Sequence, residues 1–270
     1  MNKLYILIAL TISFTVSAQI ATTGTNNSGL NASAIGFNTT ASNTVSTAMG
    51  RETLASGVSS TAMGYQTKAT NTAATAMGDN STASGVTSTA IGDNSTASGV
   101  TSIAMGFETE ATYSASIAMG YQTSSTEGAS TAMGFQTTAS GFGSTSIGYQ
   151  TTASGNSSTA MGWLTAANGK ASTAIGKSTI ASDFGSLVIG QYNLGGATVT
   201  NSATEPNYAN TAFVIGNGTF SNRSDAFKVM ANGDTTVSND LTVGGDIVVS
   251  SDARLKANIV SLGSTLAKLL

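Results

Sequence analysis

The chain has 270 residues and a formal net charge of −3, with 31 Gly, one Pro, no Cys, no His and 9% charged residues. Lacking His and Cys, it has no Ser-His-Asp or Cys-His pair, no disulfide and no sulfur-ligated metal site, and nothing suggests a cofactor. Its basic residues are scattered, so there is no electrostatic footprint for nucleic acid or an anionic membrane, while 40% apolar residues can still bury a core if their pattern is regular.

Residues 1–18 carry Lys3, an apolar run over residues 4–16, and the small residues Val16-Ser17-Ala18. This pattern predicts a secretory signal peptide cut between Ala18 and Gln19. The run is shorter than the ~20 residues that a membrane-spanning helix needs. Its removal leaves nine basic against thirteen acidic residues, no transmembrane segment in the mature chain, and no cysteine to carry a lipid. Residues 19–31 are a short N-terminal lead-in.

From residue 32 to residue 190 the chain counts in fourteens. Glycines stand at 36, 50, 64, 78, 92, 106, 120, 134, 148, 162, 176 and 190. Each follows Met or Ile: Ile35, Met49, Met63, Met77, Ile91, Met105, Met119, Met133, Ile147, Met161, Ile175 and Ile189. Ala stands two residues before the Gly in ten of the twelve copies, with Ser146 and Val188 as exceptions, and Ala recurs five residues after it from Ala41 to Ala181 apart from Ser125. Fourteen is two heptads, but the apolar positions miss a and d, and Gly, Ser, Thr and Asn are poor helix formers. A fixed spacing also argues against low-complexity disorder and for a stacked unit. The fold class expected is all-β, a β-solenoid. At ~3.3 Å per residue, one coil is a circuit of about 46 Å, enough for two short strands and two turns.

So thin a coil admits only small side chains. We therefore assign Ala and Gly to the interior and the Met/Ile column to the outside, the opposite parity being the alternative. Stacked at ~4.8 Å, twelve such side chains make a ridge about 57 Å long and roughly 570 Å² in area. Its burial would contribute on the order of 20 to 35 kcal/mol before entropy is charged against it. Self-association through these twelve residues is the expected outcome.

Copies such as Ser60-Thr61-Ala62-Met63-Gly64 and Thr82-Ala83-Ser84-Gly85 resemble the head repeats of trimeric autotransporter adhesins. The resemblance implies a left-handed parallel β-roll, a homotrimer, and attachment of a cell to a surface, a matrix or another cell through an unnamed receptor. With the signal peptide, the expected location is secreted or cell-surface; outer-membrane association is an open alternative, since the sequence lacks the C-terminal membrane β-barrel of that family.

Three columns within the repeat invite functional readings. The residue after Gly is aromatic at Phe37, Tyr65, Phe107, Tyr121, Phe135, Tyr149 and Trp163. These rings could supply adhesive contacts, or they could cover a trimer seam or a turn. The column Thr39, Thr53, Thr67, Thr109, Thr123, Thr137, Thr151, Thr165 and Thr179 suggests an ice-binding face, against the plainer reading of a strand residue. Asp79-Asn80 and Asp93-Asn94 are too few acidic copies for a calcium-binding roll, so no metal site is assigned.

After Gly190 the motif returns only at Phe213-Val214-Ile215-Gly216, which makes residues 191–212 an inserted loop containing the one proline, Pro206. Residues 213–250 read as a β connector or neck. Within it, residues 216–236 suit hairpin-like structure, and Leu241, Val243, Ile247 and Val249 suit short strands around Gly244-Gly245-Asp246. In residues 251–270, Leu255, Ile259, Leu262, Leu266 and Leu269 form an a/d seam and predict a short C-terminal helix.

The stretch Ser251-Asp252-Ala253-Arg254-Leu255-Lys256-Ala257-Asn258-Ile259 resembles the opening of the self-cleaving intramolecular chaperone of phage tail spikes. That resemblance implies cleavage between Ser251 and Asp252, with Lys256 as partner. A Lys assists a Ser only where desolvation brings its pKa far below ~10.4, which needs a folded surrounding domain. The chain stops at Leu270, so this domain is read as truncated and Ser251 and Lys256 as the start of a solvated helix. The functional expectation is an exported trimeric adhesin or surface fibre without catalysis on an outside substrate. A self-processing fibre and an ice-binding solenoid are the alternatives.

Overall fold

The computed structural model describes residues 23–194 and 202–245. Each fourteen-residue coil contains one five-residue strand, such as Thr61–Tyr65, and one two-residue strand, such as Lys68–Ala69. Successive coils pair in parallel with a constant offset, Thr61 with Thr75, Met63 with Met77 and Gly64 with Gly78. The short strands stack into a 12-stranded sheet. The long strands form most of a 15-stranded sheet on the other side of the coil.

Each coil turns back on itself at residues in left-handed backbone, and apart from Gly143 and Gly185 these are not glycine. Gln66 (φ 53°) closes the long strand and Ala73 (φ 53°) closes the short one, and the same two positions recur along the roll. A serine three residues after the opening of the second turn fastens it. The Ser60 hydroxyl donates to the Gly57 carbonyl at 2.7 Å, and Ser88 and Ser102 bond Gly85 and Gly99 in the same way at 2.8 Å. Each hydroxyl adds a second bond to a carbonyl that already accepts the serine's own amide, at 3.3 Å for Ser60 and Gly57.

The core is narrow. Ala48, Ala62, Ala76, Ala90, Ala104 and Ala118 of the long strands and Ala41, Ala55, Ala69, Ala83, Ala97 and Ala111 of the short strands are fully buried. They place the alanine face inside and the Met/Ile column outside. The repeat glycines do not share that interior. Gly50 and Gly64 are exposed, and a φ of 124° and 122° takes them out of the strict in-and-out alternation of a strand. Glycine is required there because a Cβ on Gly50 would overlap the carbonyl of Gly64 in the next coil.

Past the twelfth repeat glycine the chain leaves and rejoins the sheet in register. Thr211–Asn217 pairs in parallel with Leu187–Gln191, setting Gly216 against Gly190. Asp225–Met230 and Thr235–Val237 then add antiparallel strands, which gives the hairpin-like structure expected of residues 216–236. Side chains stitch the insertion to the roll. Buried Asp183 accepts from the Thr211 amide at 2.7 Å, and inside the insertion buried Asn210 bonds both the amide and the carbonyl of Ser202. Asn193 ends the short-strand sheet: its amide group takes the N–H of Ile180 at 2.8 Å and gives to the Ile180 carbonyl at 3.0 Å, where a further strand would have done both.

Residues 239–270 form a second compact unit, of which 239–245 are described. Leu241 and Val243 are exposed and lie in no strand, contrary to the sequence expectation. Ile247, Val249 and the expected helix lie outside the described residues.

Candidate functional site

The outward surface of the long-strand sheet carries the side chains that could meet a partner. Thr61, Met63 and Tyr65 point away from buried Ala62, and the next coils repeat the order. In the single chain the Met/Ile column is half-exposed along most of its length and more open at Met133, Met161 and Ile175, at 36%, 38% and 40%. The twelve residues predicted to drive association thus form one outer column, each in register with the next.

Beside it runs the aromatic column, whose geometry follows from the strand spacing of ~4.8 Å. Ring centroids lie 4.9 Å apart for Phe107–Tyr121, 4.8 Å for Tyr121–Phe135 and 4.9 Å for Phe135–Tyr149, with planes within 8° of parallel. Trp163 continues the stack at 6.2 Å. Lys177 closes it, with its ammonium 4.7 Å from the Trp163 ring. Nearer the N-terminus, the Arg51 guanidinium sits between Phe37 and Tyr65, at 5.7 and 5.4 Å. Because each ring covers its neighbour's face, the stack offers a partner mainly ring edges and Tyr hydroxyls.

A second ladder adjoins the rings, and sequence reasoning missed it. The Gln122 amide donates to Glu108 at 2.7 Å, Gln136 to Gln122 at 2.8 Å and Gln150 to Gln136 at 2.8 Å. Gln66 donates to Glu52 at 2.7 Å, and that bond, aided by Arg51 and opposed by desolvation, holds the Glu52 carboxyl below its usual range. The period of fourteen at the second residue after Gly was a visible signal. What it did not reveal is that these residues occupy the left-handed turn, where the side chains of successive coils are brought side by side. Asp79 and Asp93 also stand in register, with the Asn80 amide donating to Asn94 at 2.5 Å.

The threonine column is turned the other way. Thr39, Thr53, Thr67, Thr109, Thr123, Thr137, Thr151, Thr165 and Thr179 are at most 1% exposed, so these residues offer no face to ice. Ala18, Gln19, Ser251 and Lys256 lie outside the described residues. Among the described residues no group of three or more acidic side chains is arranged to hold a metal ion, and no helix is long and apolar enough to cross a membrane. The outer surface therefore combines an apolar ridge, a ring stack and an amide ladder.

A family model, the YadA head domain repeat, matches residues 28–53, 55–81, 83–109, 139–165 and 167–193. No curated protein matches the chain.

Proposed function

We propose that this chain, whose repeat region belongs to the YadA head domain family, is the head of an exported homotrimeric adhesin that attaches a cell to a surface, matrix or neighbouring cell. The observation that carries this reading is the agreement between the family match and the half-exposed Met/Ile column. A lone chain would leave this ridge in water, and packing three copies around a common axis removes it. The repeat architecture supplies a long, stiff body that needs no disulfide, which suits a protein working outside the cell.

Light scattering on the mature chain at micromolar concentration tests the assembly, with three times the chain mass expected. Met119→Lys with Met133→Lys places charge in the ridge and is expected to lower that mass to one chain. A monomer in the unaltered protein would overturn the reading. Display on a cell should raise retention on coated surfaces, and the paired Lys variant should abolish the gain.

A further inference from the structure

At the opposite end of the long strands the ridge is flanked by a second column that is apolar in about half of the coils. The turn leading into those strands exposes Val58, Val86, Val100 and Phe142, at 40%, 37%, 49% and 59%, with Tyr113 beside them at 55%. The ring stack at the far end, Tyr121, Tyr149 and Trp163, is about 40% exposed. Among the described residues neither column is covered by another part of the chain.

We infer that these two columns are the two halves of one seam between copies of this chain, the ring stack of one protomer packing against the valine and phenylalanine turn column of the next. The inference rests on the trimer reading above. A closed three-fold ring is heterologous, so each copy must present two different patches. With the Met/Ile column toward the axis, the three long-strand sheets enclose it like the sides of a triangle, all running in the same sense around it. At each corner the last residue of one strand then meets the turn that opens the neighbour's strand in the same coil. Phe107 falls at the level of Val100, Tyr121 at Ser114, Phe135 at Gly128 and Tyr149 at Phe142.

The side chains suit that pairing. The bulky rings of Tyr121 and Phe135 face the levels where the turn carries Ser114 and Gly128. Phe142 folds back over Gly128, its ring 3.1 Å from where a Cβ would stand, so it covers two levels and meets ring edges with a ring face. Asp79 falls at Thr72, and Asp93 falls at Val86, so the pairing of ring with apolar turn is interrupted at these two levels and rests on Tyr65 with Val58, Phe107 with Val100 and Tyr149 with Phe142. In the last two coils the inserted segment takes over the turn side, since Lys170 and Phe184 bond Ala203 and Ser202 through the backbone. The seam is therefore assigned to the coils before it. Added to the ridge, the two columns bring the surface offered to neighbours to on the order of 1,000 Å² per protomer; divided between two neighbours, this is about 1,000 Å² in total at each interface, the lower bound for a specific contact.

The chain has no cysteine, so introduced ones report cleanly. The test uses Phe142→Cys with Tyr149→Cys, and separately Val100→Cys with Phe107→Cys, in the full chain treated with a short bis-maleimide. Within one chain the strand Thr145–Tyr149 alone spans about 13 Å, beyond such a linker, so bridging must come from another copy. Each double variant is expected to give a covalent trimer on a denaturing gel, and each single variant to remain a monomer. Dimers from a single variant would overturn the seam by showing a self-complementary contact. A trimeric scattering mass without covalent trimer would overturn it as well, and would leave the ring stack facing outward. A monomeric mass before cross-linking would instead remove the trimer reading on which the seam rests.

Discussion

Gly148 lies so close to Gly162 of the next coil that a Cβ on the first would overlap the carbonyl oxygen of the second. The φ of Gly148, 131°, is also one that side-chain-bearing residues avoid. Gly148→Ala must therefore break a backbone contact as well as strain a dihedral, and we expect a loss of about 3 kcal/mol or more. Gly185 is a useful contrast, because at φ 67° it has nothing within 4 Å of the Cβ position. Gly185→Asn should change stability by less than about 1 kcal/mol. Chemical denaturation of the two variants beside the parent chain measures the difference. Equal losses would show that the glycine stack is not what fixes the coil.

Inside the roll, the hydroxyls make an opposite pair of expectations. The Thr137 hydroxyl is buried and has no hydrogen-bond partner among the described residues, as is also true of Thr53, Thr67 and Thr123. Thr137→Val keeps the shape and removes the unpaired polar atom, so it should stabilise by about 1 to 2 kcal/mol. Ser95, one residue type smaller at the same repeat position, gives to the Gly106 carbonyl at 3.0 Å and accepts from Thr109 at 2.8 Å. Ser95→Ala removes the Thr109 hydroxyl's partner and one bond to the Gly106 carbonyl, and should cost about 1 to 3 kcal/mol. The sign of the two shifts in melting temperature is the readout.

Much of this was open to reading because a solenoid repeats its physics. The offset of fourteen, the two strands per coil and the inward alanines all follow from counting and from the width of the coil. The period-two rule failed where the backbone departed from a plain strand. Gly64 leaves the alternation through its positive φ, and Thr67, on the far side of the turn at Gln66, points inward although its column suggested an outer face. The same turn hid the Gln122–Gln136–Gln150 ladder, since no spacing rule says which way a left-handed residue aims its side chain. The role of Asn193 was equally unreadable: it holds the threonine position, and only the end of the short-strand sheet gives its amide two backbone groups to satisfy.

That end cap yields a local prediction. Asn193→Ala leaves the N–H and C=O of Ile180 without the bonds they now have, at a position the insertion keeps partly buried. The expected loss is about 2 to 3 kcal/mol. Because each coil leans mainly on its neighbours, the damage should be confined to the C-terminal coils. Amide exchange should accelerate at Ile180 and Ala181 well before it does at Ala97. Uniform acceleration along the roll would show that the sheet unfolds as one unit and does not fray from this edge.

Asp225 gives the chain a pH dependence of defined sign. Desolvation raises its pKa above the ordinary carboxylate value, against the opposing pull of the Leu194 amide and the charge of Lys228. The Leu194 N–H donates to it at 2.7 Å. The folded state therefore holds the Asp225 proton more tightly than the unfolded chain does, and between the two pKa values the folded form carries more protons. At this residue stability falls as pH rises out of the carboxylate range, the reverse of the usual buried ion pair. Asp225→Asn keeps an oxygen for the Leu194 amide and removes the ionisation. The variant should match the parent at acidic pH and be slightly more stable at neutral pH, with a flatter profile between. Denaturation midpoints across pH 3.5 to 7.5 decide it (about the carboxylate range and above). A variant that loses stability equally at every pH would show that the carboxylate is held for its hydrogen bond alone.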